Sequence, residues 1–391
     1  MNKIIMVFLS VSLCAFGMGY QAFKKHTLKH AKVLQSQALS KRVTQEKNNI
    51  LLRTPNPTLG LELSKFNPQG DSASYEYSAI ASQKVRTGNY YHGLTQKANA
   101  QTLLTSAYVK EGKAGFLKTL ETLYTDYVYQ SKLLSLLKEE YTLSQKVSHI
   151  VNERYKSGSE TKVSYLQAKT DTMRLKTKMF STKQEVIRRY YQLLATAGLS
   201  KKVQLEKKFI YTPSKGVKNH HALHPKQQVL QAKKLMLESQ LRMNKSVIDS
   251  YELYGGIENE PDQSILRVGI SVPIPLFNDK SEERSLARLQ MQQLSLDNEQ
   301  LQLDIKSQKQ MIRASITELS HQYHAFKALR VEQQALSKLL QEGYAMSQGS
   351  IFVMMNAKNR LIQTRKALLQ TQRDINKQKI NYRHLQGDYN D

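Results

Sequence analysis

SEERSLARLQMQQLSLDNEQLQLDIKSQKQMIRASITELSHQYHAFKALRVEQQALSKLLQE, residues 281–342, holds 62 positions without one Gly or Pro. Ile305, Ile312, Ile316, Leu319, Tyr323, Phe326, Leu329, Leu336 and Leu340 recur every three or four positions, and Lys, Gln, Glu and Ser fill the rest. That spacing predicts a helix with one apolar stripe against a partner. At ~1.5 Å per residue it rises about 90 Å, several times the mean helix of a globular domain. No compact domain wraps such a rod, and its charges exclude a membrane span.

The whole chain has 391 residues, 21 Tyr, 10 Phe, no Trp and a formal charge of +26. Such a charge raises nucleic acid or an anionic membrane surface as partners. A nucleic-acid binder would gather its charge on one docking face or within a known module, and none is present. Lys collected along helical surfaces is the reading favoured over contact with anionic headgroups or an acidic partner.

The chain opens Met1-Asn2-Lys3, runs through an apolar segment from Ile4 to Ala15, and then offers small residues at Gly17, Gly19 and Ala22. This is the pattern of a secretory leader, expected over residues 1–22, and the segment is too short for a membrane anchor. The only cysteine, Cys14, lies inside it behind Leu13. A lipidated Cys14 would want a small residue before it, so loss with the leader is preferred, leaving a mature chain without cysteine.

Residues 23–52 carry a basic helical pattern ended by Pro55 and Pro57. Thr58–Phe66 alternates, with Leu59, Leu61 and Leu63 on one face, and turn chemistry at 67–71 leads to a second strand from Ser74 to Val85 that carries Tyr77. A long helix is expected from Tyr91 to Glu153, its stripe including Leu103, Ala107, Leu117, Leu120, Tyr124, Leu137, Val147 and Ile150, with a local bend at Gly112 and Gly115. After a break at 155–160 a shorter helix runs from Thr161 to Ala197, closed by Gly198. Residues 200–223 read as a basic linker. The order then returns: a helix from Pro225, a strand at 248–257 with Leu253, a turn at 258–262, a strand at 264–274 with Leu266, Val268, Ile270 and Val272, the long rod, a break around 347–349, and a last helix from Ser350 to Leu385. An offset of 189 places Tyr155 on Tyr344, Thr161 on Ser350, and Ala168-Lys169 on Ala357-Lys358. The chain is thus mainly α with a small β part, and residues 23–199 and 224–391 repeat one unit of helix, hairpin, long helix and shorter helix.

Four alternating strands have the length of outer-membrane barrel strands, yet too few to close a barrel, so several chains would have to share one. A small sheet lying on the helices explains the alternation equally well.

Arg154-Tyr155-Lys156-Ser157-Gly158 through Tyr165-Leu166-Gln167-Ala168, and Gly343-Tyr344 through Asn356-Ala357, stand in an order that resembles the TolC family of outer-membrane efflux ducts. Asn56-Pro57-Thr58-Leu59-Gly60-Leu61-Glu62-Leu63 and Val268-Gly269-Ile270-Ser271-Val272-Pro273-Ile274-Pro275-Leu276-Phe277-Asn278 resemble its heavy-metal-efflux branch, the CzcC-like and CusC-like proteins. The resemblance covers nearly all of the chain after the leader. It implies a homotrimer in the outer membrane whose protomers share a twelve-stranded barrel, with a helical tunnel in the periplasm. It also implies a periplasmic adaptor, an inner-membrane pump, and export of metal ions or small toxic solutes. It assigns adaptor contact to Arg154, Tyr155, Gly158, Ser159, Tyr344, Ser347, Gly349 and Ser350. Leu59, Leu61, Leu63, Tyr77, Leu253, Leu266, Val268, Ile270 and Val272 would face lipid. Ser347 stands where relatives have Gly, and Ser164 and Val353 where many have a carboxylate. The competing reading is an exported coiled-coil scaffold without a pore.

No residue set supports catalysis, and no cofactor is called for. His220, His221 and His224 crowd together in the basic linker, and His321 and His324 sit one turn apart, but neither group completes a metal-ligand set.

Overall fold

The computed structural model describes residues 17–66, 73–213, 222–346 and 349–389. The expected turn at 67–71, the apolar part of the leader, His220, His221 and Ser347 lie outside them. The elements are α1 (Tyr20–His30), α2 (Lys32–Leu52), β1 (Thr58–Phe66), β2 (Ser74–Arg86), α3 (Gly88–Lys156), α4 (Lys162–Ala197), α5 (Pro225–Met243), β3 (Ser250–Asn259), β4 (Ser264–Ser271), α6 (Ser281–Ala345) and α7 (Ile351–Leu385). Helix, hairpin, long helix and shorter helix therefore occur twice in that order. Among the described residues no helix is long and apolar enough to cross a membrane.

Differences from expectation have local causes. The helical pattern of 23–52 begins earlier and breaks at Ala31, whose extended backbone (ψ 120°) separates α1 from α2. Gly198, in the left-handed conformation at the end of α4, lies so close that a side chain there would meet the His30 carbonyl at 2.9 Å. Helix α3 continues through Gly112 and Gly115, and the bare backbone at Gly112 receives the Gln37 side chain of α2. Strand β4 stops at Ser271 rather than Ile274, because Pro273 and Pro275 lack the donors a ladder needs.

The chain divides into two compact units. The first comprises the described residues of Ser36–Gly112 and Leu223–Ile305. Here the Asn48 amide donates to the Ala98 carbonyl (2.8 Å) and to Thr102 Oγ1 (2.9 Å), pinning α2 to α3. Ala107, Val229 and Ala232 pack α5 on α3. His224 is the N-cap of α5, its ring accepting from the Lys226 N–H at 3.2 Å. The four strands form one antiparallel sheet in the order β1-β2-β3-β4.

The second unit comprises the described residues of Met1–Gln35, Lys113–Ala222 and Lys306–Asp391. Phe23, Leu117, Leu120, Tyr124, Val128, Leu137 and Leu193 form its core. Inside that core the fully buried Glu121 carboxylate accepts from the hydroxyls of Tyr20 (2.9 Å), Tyr211 (3.3 Å) and Tyr389, with Arg383 at 3.5 Å. A buried carboxylate is tolerable only with donors of this kind. A second buried pair, Lys358 to Asp171 at 2.6 Å, joins α7 to α4.

The covered stripe of α6 follows the expected spacing through Ile305 and Ile312, which are buried, and Ile316, Leu319, Tyr323 and Phe326, which are half-buried; it departs from that spacing next and returns to it at the half-buried Leu340. Leu329 and Leu336 are exposed, while Ser337 and Tyr344 are buried. The seam keeps a seven-residue period, and the two leucines stand one position outside it.

Candidate membrane face and helix turns

The register of the sheet decides which side chains share a face. Leu59 pairs with Ala81, Leu61 with Ala79 and Leu63 with Tyr77. Ala79 pairs with Ile257 and Ala81 with Gly255; Leu253 pairs with Ile270, Gly255 with Val268 and Ile257 with Leu266. Because side chains alternate along each strand, Leu59, Leu61, Leu63, Tyr77, Leu253, Leu266, Val268 and Ile270 all fall on one face. Val272 keeps the same phase just beyond β4. Ala79 and Ala81, which share the alternation of Tyr77 in the sequence, complete the set together with Ile257, which the sequence did not mark. The opposite face carries Glu62, Ser78, Glu258, Arg267, Ser82 and Glu252. Arg267 is ion-paired with Glu258, and the Ser82 hydroxyl donates to Glu252 at 2.5 Å.

The apolar face is uncovered. Leu61 is 74% exposed and Val268 81%. The expected alternative of a sheet lying on helices is therefore not what forms. Ile274, Leu276 and Phe277, after β4, extend this exposed apolar surface. Strands β1 and β4 end the sheet, so each offers one edge without a strand partner among the described residues.

The helix turns of the two repeats meet in the other unit. Helix α3 closes with Gly158 at φ +79°, its N–H donating to the Tyr155 carbonyl (3.1 Å), while Ser159 N–H donates to the Arg154 carbonyl (2.8 Å). This is the Schellman arrangement, and only glycine takes that conformation cheaply. In the second turn Gly349 also has a positive φ, +103°. Thr161 and Ser350 cap α4 and α7, accepting from the Ser164 and Phe352 N–H groups.

Of the residues assigned to adaptor contact, Arg154 and Tyr344 join the two turns to each other. The Arg154 guanidinium donates to the Tyr344 carbonyl (2.7 Å) and the Ala345 carbonyl (3.2 Å), and lies 4.3 Å from the centre of the Tyr344 ring. Tyr344, only 3% exposed, donates its hydroxyl to Glu160 at 2.8 Å. Its own acidity is weakened, the pKa pushed up to about 12 by burial and by the Glu160 carboxylate. Val147, Val151, Ile351, Met354 and Met355 pack beneath this clamp. Tyr155, Gly158, Ser159, Gly349 and Ser350 remain exposed, with the Tyr155 ring stacked on Tyr165 at 5.7 Å. Glu160 went unnoticed in the sequence because nothing local marks a partner 184 positions away.

No family model and no curated protein matches the chain. Solved structures do. The outer-membrane channel OprN superimposes with a TM-score of 0.80 at 10% identity, over 95% of this chain and 90% of its own. CusC, described in terms of folding and transmembrane channel formation, gives 0.78 at 15% identity over 94% and 91%. The outer membrane protein VceC from Vibrio cholerae gives 0.79 at 12% identity over 94% and 95%. The fold is that of the TolC-like outer-membrane channels. At such identities the likeness lies in the arrangement of the helices and strands, which fixes where the apolar face and the helix turns fall along the chain.

Proposed function

We propose that the chain is the outer-membrane duct of a tripartite efflux system, assembled as a homotrimer. The observation that carries this reading is the sheet: one largely apolar face open to its surroundings, one largely polar face, and two edges without a strand partner among the described residues. In water such a face would be an aggregation surface. In lipid every backbone edge must be satisfied, so four strands need partners. Three copies supply twelve strands and close the barrel, with Leu59, Leu61, Leu63, Tyr77, Leu253, Leu266, Val268, Ile270 and Val272 outward and Glu62, Ser82, Glu252, Glu258 and Arg267 toward the water-filled interior.

The helices support the same assembly. On α4, Leu166, Met173, Phe180 and Ile187 are exposed at seven-residue intervals, and on α6 so are Leu289, Leu296 and Leu303. Heptad stripes of this kind are coiled-coil seams awaiting a neighbour. The helical part would stand in the periplasm, with Tyr155, Gly158, Ser159, Gly349 and Ser350 offered to an adaptor joined to an inner-membrane pump. Arg154 and Tyr344 act there by holding the two turns together. The energy for export comes from the pump, and the duct supplies a path. Metal ions or small toxic solutes are the proposed cargo, on the strength of the likeness of residues 56–63 and 268–278 to the CusC-like branch.

Mass measurement on the protein extracted from outer membranes in mild detergent tests the assembly. Three chains per particle are expected. A monomer recovered from the soluble periplasmic fraction would sink the duct and favour the scaffold.

A further inference from the structure

We propose that the leader is removed by hydrolysis of the Gly17–Met18 bond, so that the mature chain begins at Met18 rather than beyond Ala22. The inference rests on the export reading and adds to it a processing site.

Two independent observations meet at this bond. The first is chemical: leader-removing endopeptidases accept small residues one and three positions before the cut. Ala15 and Gly17 meet that requirement for a cut before Met18. A cut after Ala22 puts the bulky Tyr20 three positions before it. A cut after Gly19, with Gly17 three positions before it, satisfies the rule as well, so sequence alone does not choose.

The second observation chooses. Met18 pairs in parallel with Leu205: its N–H donates to the Gln204 carbonyl at 2.7 Å, and its carbonyl accepts from the Glu206 N–H at 3.0 Å. Gly19 follows as the N-cap of α1, its carbonyl accepting from the Phe23 N–H. Tyr20 is buried, its ring 5.0 Å from Tyr124 and its hydroxyl on Glu121. A cut after Gly19 would delete the pairing with Leu205. A cut after Ala22 would also take one of the donors from the buried Glu121 carboxylate. Residues 18–22 therefore belong to the folded unit and not to the leader.

In the reaction, water adds across the amide; Gly17 leaves as the leader's carboxylate and Met18 is left with a free amine. That amine is an ammonium at neutral pH. It keeps the position from which it donates to the Gln204 carbonyl.

N-terminal sequencing of the full chain, expressed with its leader and purified from the outer membrane, reads the site directly. The expected result is Met-Gly-Tyr. A chain starting at Tyr20 or Phe23, or an acylated Cys14, would overturn the proposal while leaving export intact. A chain that retains Met1 would overturn export itself. Gly17→Leu is expected to turn the leader-bearing precursor from a trace into the major species, and Gly17 departs with the leader, so the mature fold is untouched. Ala22→Leu, at an exposed position, is expected to be processed like the wild type; the opposite pattern contradicts the assignment.

Discussion

Arg154 shows how much one side chain carries in this fold. It satisfies two carbonyls at the end of α6 and covers the Tyr344 ring, so Arg154→Ala is expected to cost about 1.5–3 kcal/mol locally, the range for hydrogen bonds from a charged donor. Amide hydrogen exchange at 155–160 and 340–346 should rise accordingly, while exchange in the Leu117–Leu137 core stays unchanged. His384 offers a pH-dependent test. Burial, with Lys118 as a smaller second cause, lowers its pKa to about 4, so the folded chain holds the ring neutral. A base with a depressed folded pKa contributes stability that is complete above its unfolded value near 6.5 and is lost as pH falls from there toward 4. Up to roughly 3 kcal/mol is involved. Thermal unfolding of wild type and His384→Gln at pH 7.5 and 4.5 measures it: the wild type should lose more stability between the two than the variant.

At the scale of elements, the two faces of the sheet make opposite demands. Val268→Arg places a charge on the apolar face and is expected to cost about 2–4 kcal/mol if that face lies in the bilayer. Glu62→Gln, on the polar face, should leave assembly unchanged. The yield of heat-resistant oligomer in membrane extracts separates the two. Much of this level was legible in advance. Alternation in β1 gave the strand to the residue, and Thr161, Gly198 and Ser350 marked helix ends, because caps and alternation act through neighbours in sequence. What escaped depends on partners far away. The break at Ala31 lies against Gly198, far off in sequence, and the second half of the α6 seam is filled by Arg330, Gln333 and Ser337, which hydrophobicity alone does not mark. The heptad phase would have found them. Glu160 and Glu121 escaped for the same reason, since the tyrosines that hold them lie 90 to 268 positions away.

For the whole molecule, the repeat explains why the sequence order and the compact units disagree. Each unit takes segments from both halves of the chain, as two copies of one pattern folded together require. The same doubling gives four strands where a spanning sheet needs at least about eight, and so makes the chain incomplete without further copies. That incompleteness is the centre of the proposal, and conductance tests it most directly. Purified oligomer added to a planar lipid bilayer should produce discrete, long-lived conductance steps, and Val268→Arg protein carried through the same extraction should produce few or none. Purified wild-type protein that inserts no conducting pore, or conductance indifferent to Val268→Arg, would contradict a shared barrel with this face in lipid.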